Sequence, residues 1–125
     1  MKIGFCWRLI AELRDRRHEH RMKRQRYKRG WADEDAWSVD VWFIRTATPI
    51  LERYRDNLQG WDDTHFATFE ENKAAVNRLV DLLHKMEDPT LMYGKDESPE
   101  EAAERMKAKD EFFKLFSEMF YGLWD

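Results

Sequence analysis

The chain has 125 residues, 42% of them hydrophobic and 38% charged, with a formal net charge of -3. That length suits one domain with a modest core, and that composition argues against a wholly disordered chain. Cys6, the only cysteine, excludes an intramolecular disulfide framework and agrees with a reducing compartment, and no stretch approaches the roughly 18 uninterrupted apolar residues of a membrane span.

Apolar residues recur at helical intervals almost throughout, and no hairpin dipeptide separates alternating runs. This predicts an all-α fold, a small helical bundle of about four helices. The first, about Ile3 to Tyr27, aligns Ile3, Trp7, Ile10 and Leu13 and then becomes almost entirely polar, so its second half is expected to extend from the core or lie across a partner. Gly30 closes it, as a helix end favours a residue tolerant of positive φ. The opening stretch is cut by Arg8 and does not read as a signal peptide, so the protein is expected in the cytoplasm. Residues 1–30 are read as a basic N-terminal helix and residues 31–125 as the bundle core of a single α-helical domain.

In the second helix Trp37, Val41, Ile44, Thr48, Leu51 and Leu58 repeat at three- and four-residue steps, with Pro49 in their midst. Proline lacks an amide hydrogen and crowds the preceding turn, so this helix should kink or divide near Thr48. A third helix is predicted from about Thr64 to Met86, burying Phe69, Val76, Leu79, Leu83 and Met86. The proline- and glycine-bearing stretch after it reads as a loop. Ser98, Pro99 and Glu101 then supply an N-cap, a first-turn proline and a capping-box partner for a last helix, about Pro99 to Leu123. Its expected buried stripe is Met106, Phe113, Phe116, Phe120 and Leu123.

Charge is unevenly distributed. Between Arg14 and Arg29 nine cations face two carboxylates, and the rest of the chain holds thirteen cations against twenty-three carboxylates. Such a division can steer a polyanion to one end, or dock one copy head to tail on another. Read as a helix, the basic run turns its cations through all faces, which suits phosphates better than a membrane surface. Tyr27 and Trp31 add stacking platforms for bases. The competing readings are an acidic protein surface and a solvated helix face without a ligand.

Other clusters carry weaker chemistry. His18 and His20 lie two apart and point in different directions on a helix, a poor metal-ligand spacing. Asp33, Glu34, Asp35 and Asp40, with Asp62 and Asp63 further on, read mainly as helix-start carboxylates. Glu70, Glu71, Asp81, Glu87 and Asp110 would have to converge from separate helices to hold magnesium, as in all-α nucleotide pyrophosphatases, and their spacings match no tight pattern. Asp81 and His84 share a face as bundle metal ligands do, though a polar face explains them as well. No nucleophilic triad or glycine-rich phosphate loop is present, so no catalytic residue, metal or cofactor is assigned.

The stretch from Arg26 to Asn57 resembles a family of small proteins of tailed bacteriophages, most of them without an assigned activity. The resemblance rests on Arg29–Gly30–Trp31, Asp33 and Asp35, the Trp-Ser-x-Asp step from Trp37 to Asp40, and the helix running through Pro49 to Arg55. The aromatic C-terminal helix, KDEFFKLFSEMFYGLWD, is similar to that family's closing helix. The resemblance implies a phage or prophage context, a bacterial cytoplasm and an accessory role such as counter-defence; Trp37, Asp40 and Pro49 could equally mark a packing corner.

The reading that results is a non-enzymatic binder of a phosphate-bearing ligand, either a nucleic acid or a signalling nucleotide. Arg21, Arg24, Arg26, Lys28 and Arg29 would hold phosphates, Tyr27 and Trp31 would stack, and Asp33, Asp35 and Asp40 would orient the arginines or accept from a base edge. The alternatives are an interaction module docking on a host protein or forming a homo-oligomer, and a magnesium-dependent nucleotide pyrophosphatase.

Overall fold

A computed structural model describes residues 2–124 of the backbone and the side chains from Arg8 to Trp124. The fold is all-α, a small helical bundle with no strand among the described residues. Five helices follow one another: α1 (Lys2–Arg29), α2 (Val39–Asp56), α3 (Phe69–Lys85), α4 (Pro89–Tyr93) and α5 (Pro99–Met119), with 3₁₀ turns at Asp33–Ala36 and Phe120–Gly122. By contact the chain forms two compact units, one running to Val39 and the other starting at Asp40.

The first unit is α1 with its 3₁₀ turn. Straight-chain residues such as Arg, Lys, Leu, Met and Glu make α1 helical by local preference. Gly30 ends it at φ 85°, where its amide donates to the Arg26 carbonyl at 2.8 Å. Ile10 and Leu13 of the predicted apolar stripe are exposed, while Ile3, Cys6 and Trp7 lie outside the described side chains. Among the described side chains of this unit, Met22 and Ala32 are the fully buried apolar ones.

In the second unit α2, α3 and α5 share one core. Ile44 and Leu51 come from α2, Val76, Leu79, Val80, Leu82 and Leu83 from α3, and Ala108, Phe112 and Met119 from α5. Thr68 caps α3 by accepting from the Glu71 amide at 3.2 Å, with Glu70 and Glu71 at its positive end and His84 and Lys85 at its negative end. Ser98 does the same for α5, accepting from the Glu101 amide at 3.1 Å ahead of Pro99.

Three expectations need revision. Pro49 does not divide α2, which runs unbroken through it. Its lost hydrogen bond is offset because Ile44, Thr48 and Leu51, on both sides of the proline, are buried on one face. The stretch after α3 is not all loop: Asp88 caps the first turn of α4, Pro89 opens it and Gly94 closes it at φ 65°.

The third revision is the face of α5. Met106, Phe113 and Phe120 are exposed, Phe116 and Leu123 pack half-buried against the core as expected, and the buried line is Ala108, Phe112 and Met119. Both lines keep helical spacing, so periodicity alone does not choose between them. Ala108 does, because a small side chain lets α3 approach closely and leaves Phe112 fully enclosed. Phe112 then stacks on Phe116 at 5.2 Å between centroids and meets Phe43 of α2 edge-on at 6.1 Å.

Candidate functional site: a basic stripe on α1

The turn after Gly30 folds back on the last turns of α1. Ala32 donates its amide to Asp35 Oδ2 at 2.7 Å and Asp33 donates its amide to Gln25 Oε1 at 2.8 Å, which fixes the turn against the helix. Three carboxylates thereby meet α1. Arg26 Nη2 donates to Glu34 Oε1 at 2.7 Å and to Asp35 Oδ1 at 2.9 Å, and Arg29 Nη2 donates to Asp33 Oδ1 at 2.6 Å. His18 Nε2 lies 3.1 Å from Glu34 Oε2.

The electrostatics follow from these contacts. The hydrogen bond from Arg26 holds both Glu34 and Asp35 below the ordinary carboxylate range, and the one from Arg29 does so for Asp33. The same pairing raises Arg26 further, chiefly through Asp35. Asp33 and Asp35 thus orient arginines, while Arg26 and Arg29 are already occupied within the chain.

The aromatic groups divide in the same way. The Arg29 guanidinium lies 3.7 Å over the Trp31 ring, and Trp37 stacks on His18 at 5.9 Å and 19°. Tyr27 has no such cover and is 92% exposed. Asp40 belongs to the other unit, in the first turn of α2, where its negative charge acts on Arg105.

Of the nine cations between Arg14 and Arg29, the seven other than Arg26 and Arg29 are exposed and form no ion pair among the described residues. Five of these seven, Arg14, Arg17, Arg21, Arg24 and Lys28, follow one another at steps of three and four residues. That spacing sets them along one face of α1. The stripe runs about 21 Å at 1.5 Å per residue. Tyr27, three residues beyond Arg24, flanks it. Arg14 and Arg17 lie outside the residues that the sequence assigns to phosphates, although their three-and-four spacing to Arg21 and Arg24 marks them.

The alternative clusters are engaged elsewhere. Asp81 pairs with Lys85 at 3.0 Å and Arg78 at 3.2 Å, and His84 pairs with Glu52 at 2.7 Å. Glu87 accepts from the Tyr93 hydroxyl at 3.1 Å, Glu71 accepts from the Ala67 amide at 3.2 Å, and Asp110 lies 3.1 Å from Lys109. Arg105 donates to both oxygens of Glu97, at 2.9 and 3.0 Å, which raises its already high pKa. No group of three His, Cys, Asp or Glu side chains among the described residues is placed to hold a metal, and no described helix is long and apolar enough to cross a membrane.

Comparisons of the chain with protein-family models, with curated proteins and with solved structures find no match.

Proposed function

We propose that the protein binds a nucleic-acid backbone through the Arg14–Arg17–Arg21–Arg24–Lys28 stripe of α1. The observation that carries this reading is the sorting of charge along one helix. The turn at Asp33–Ala36 answers Arg26 and Arg29, yet no cation of the stripe forms an ion pair among the described residues, and Arg21 acts on Asp33 only through space. Exposed like charges three and four residues apart destabilise a helix slightly, so the stripe costs stability unless an anion meets it. An extended convex row of cations favours a polymer of phosphates, since a single nucleotide is ordinarily held in a concave site. Tyr27 beside the row offers a ring on which an unpaired base can stack.

The phage resemblance gives this reading its setting: an accessory protein in an infected bacterial cytoplasm, acting on nucleic acid or on a nucleic-acid complex of the host defence, without catalysis. The test is a fluorescence-anisotropy titration against labelled single-stranded DNA, duplex DNA and RNA at 50 and 150 mM salt, with mono- and cyclic nucleotides as competitors. Saturable binding to a polymer that weakens steeply with salt and resists the nucleotides supports the proposal. Binding restricted to a small nucleotide, or none at 150 mM salt, contradicts it.

A further inference from the structure

The second unit leaves an apolar face open between α2 and α5. Its centre is a groove of about 250 Å³ lined by Trp42, Phe43, Thr46, Ala47, Ile50, Leu51 and Phe116. Thr46 and the indole N–H of Trp42 are the polar side-chain groups of that lining, so the groove offers little to a charged guest. Aromatic contacts continue the face in both directions. Phe43 touches Phe113 at 5.6 Å between centroids, Phe116 touches Phe120 at 5.4 Å, and Phe120 touches Tyr121 at 5.2 Å. Tyr54, one turn beyond Ile50, donates its hydroxyl to the Trp124 carbonyl at 3.1 Å, which ties the chain's end to the same edge.

These side chains are open to solvent to an unusual degree. Tyr121 is 90% and Ile50 62% exposed, and Trp42, Phe113, Phe120 and Trp124 lie between 38% and 55%. Together they equal more than three fully exposed large side chains, or roughly 700 Å² at about 200 Å² each. A standard interface removes about 800 Å² from each partner, and contiguous apolar patches of this size mark interaction surfaces.

We infer that this face docks a second copy of the chain about a two-fold axis. An isologous contact places the same surface on both sides, so the protruding Phe113, Phe120 and Tyr121 of one copy meet the groove of the other. Size and dryness both fit this occupant, because an identical copy offers an equal apolar area. The charge balance adds a sign. Residues 40–125 hold eleven cations against nineteen carboxylates, so two such units repel through their net charge. Screening relieves that repulsion, and this dimer therefore tightens as salt rises, whereas a head-to-tail assembly held by opposite charges loosens. The inference stands apart from the nucleic-acid reading, since it uses none of the α1 cations.

The test is sedimentation equilibrium of the full chain at 50, 150 and 500 mM salt. The expected mass is twice 15.3 kDa, with a dissociation constant that falls as salt rises. Ile50→Asp with Phe120→Asp should weaken the dimer at least 100-fold with the far-ultraviolet circular dichroism unchanged. A photo-cross-linking residue at Tyr121 supplies a second readout that leaves both apolar positions intact: it should join two copies, with the cross-link on α2 or α5. A monomer at all three salt concentrations, a dimer that dissolves as salt rises, or cross-links confined to one chain would each overturn the inference.

Discussion

The two units of this chain are stabilised by different physics. The unit beginning at Asp40 encloses Phe112, Leu79, Val76 and Leu83 completely and presents an acidic surface around them. The unit ending at Val39 encloses Met22 and Ala32, and its turn is held by hydrogen bonds and ion pairs at Gln25, Arg26 and Arg29. Apolar burial is insensitive to salt and pH, while partly exposed ion pairs are weak and screened. The acidic unit is therefore held by its apolar core. The basic unit spends its carboxylates on one side of α1 and leaves the opposite charges of the other side open.

The largest expected effect separates the units by packing. Phe112→Ala should cost about 3–5 kcal/mol, since it empties the centre of the core shared by α2, α3 and α5. Chemical denaturation followed by circular dichroism would show it, and a loss near 1 kcal/mol would mean that the three helices are not one cooperative core. Next comes the stripe. Reversing Arg17, Arg21 and Arg24 to Glu should lower duplex affinity at least 100-fold at 150 mM salt, with the denaturation midpoint almost unchanged. A shifted midpoint would give these residues a structural role that their exposure does not suggest.

Asp35→Asn should have two effects of opposite sign. It removes one of the two carboxylates that hold Arg26 and weakens the bond from the Ala32 amide, so the turn should lose about 1 kcal/mol. It also removes one negative charge from the basic unit while Glu34 still holds Arg26, and polyanion affinity should rise about twofold in the same titration. A fall in affinity would show instead that the folded turn is part of the binding surface.

The smallest effect is the pH response. Asp33, Glu34 and Asp35 have lowered pKa values in the folded chain, so the unfolded chain binds more protons near their ordinary range of about 4. Their contribution is present above about pH 5 and is lost as pH falls through the lowered values. Trp31 and Trp37 fluorescence should report loosening of the turn in that acid window, before any change in the far-ultraviolet signal of the acidic unit. Simultaneous loss of both signals would make the two units a single cooperative block.

Much of this was legible in the sequence, and the misses share a cause. Helix existence, the closure of α1 at Gly30 and the Ser98 cap follow from local chemistry, which a single chain displays. The choice of Phe112 over Phe113 depends on a neighbouring helix, and the continuity of α2 through Pro49 depends on packing that is invisible locally. For the site, the basic run was plain, but the engagement of Arg26 and Arg29 required knowing that residues 33–35 fold back on α1. Net charge counted them as open cations; geometry does not.

Cations on one helix differ in use because some already have partners. The most direct measurement is the salt dependence of duplex binding for the unaltered chain, Arg24→Gln and Arg26→Gln. Arg24→Gln should lower the slope of log K against log salt by about 0.9, as for one lost phosphate contact, and Arg26→Gln should leave it unchanged. Equal losses for both variants, or no salt-dependent binding by the unaltered chain, would contradict it.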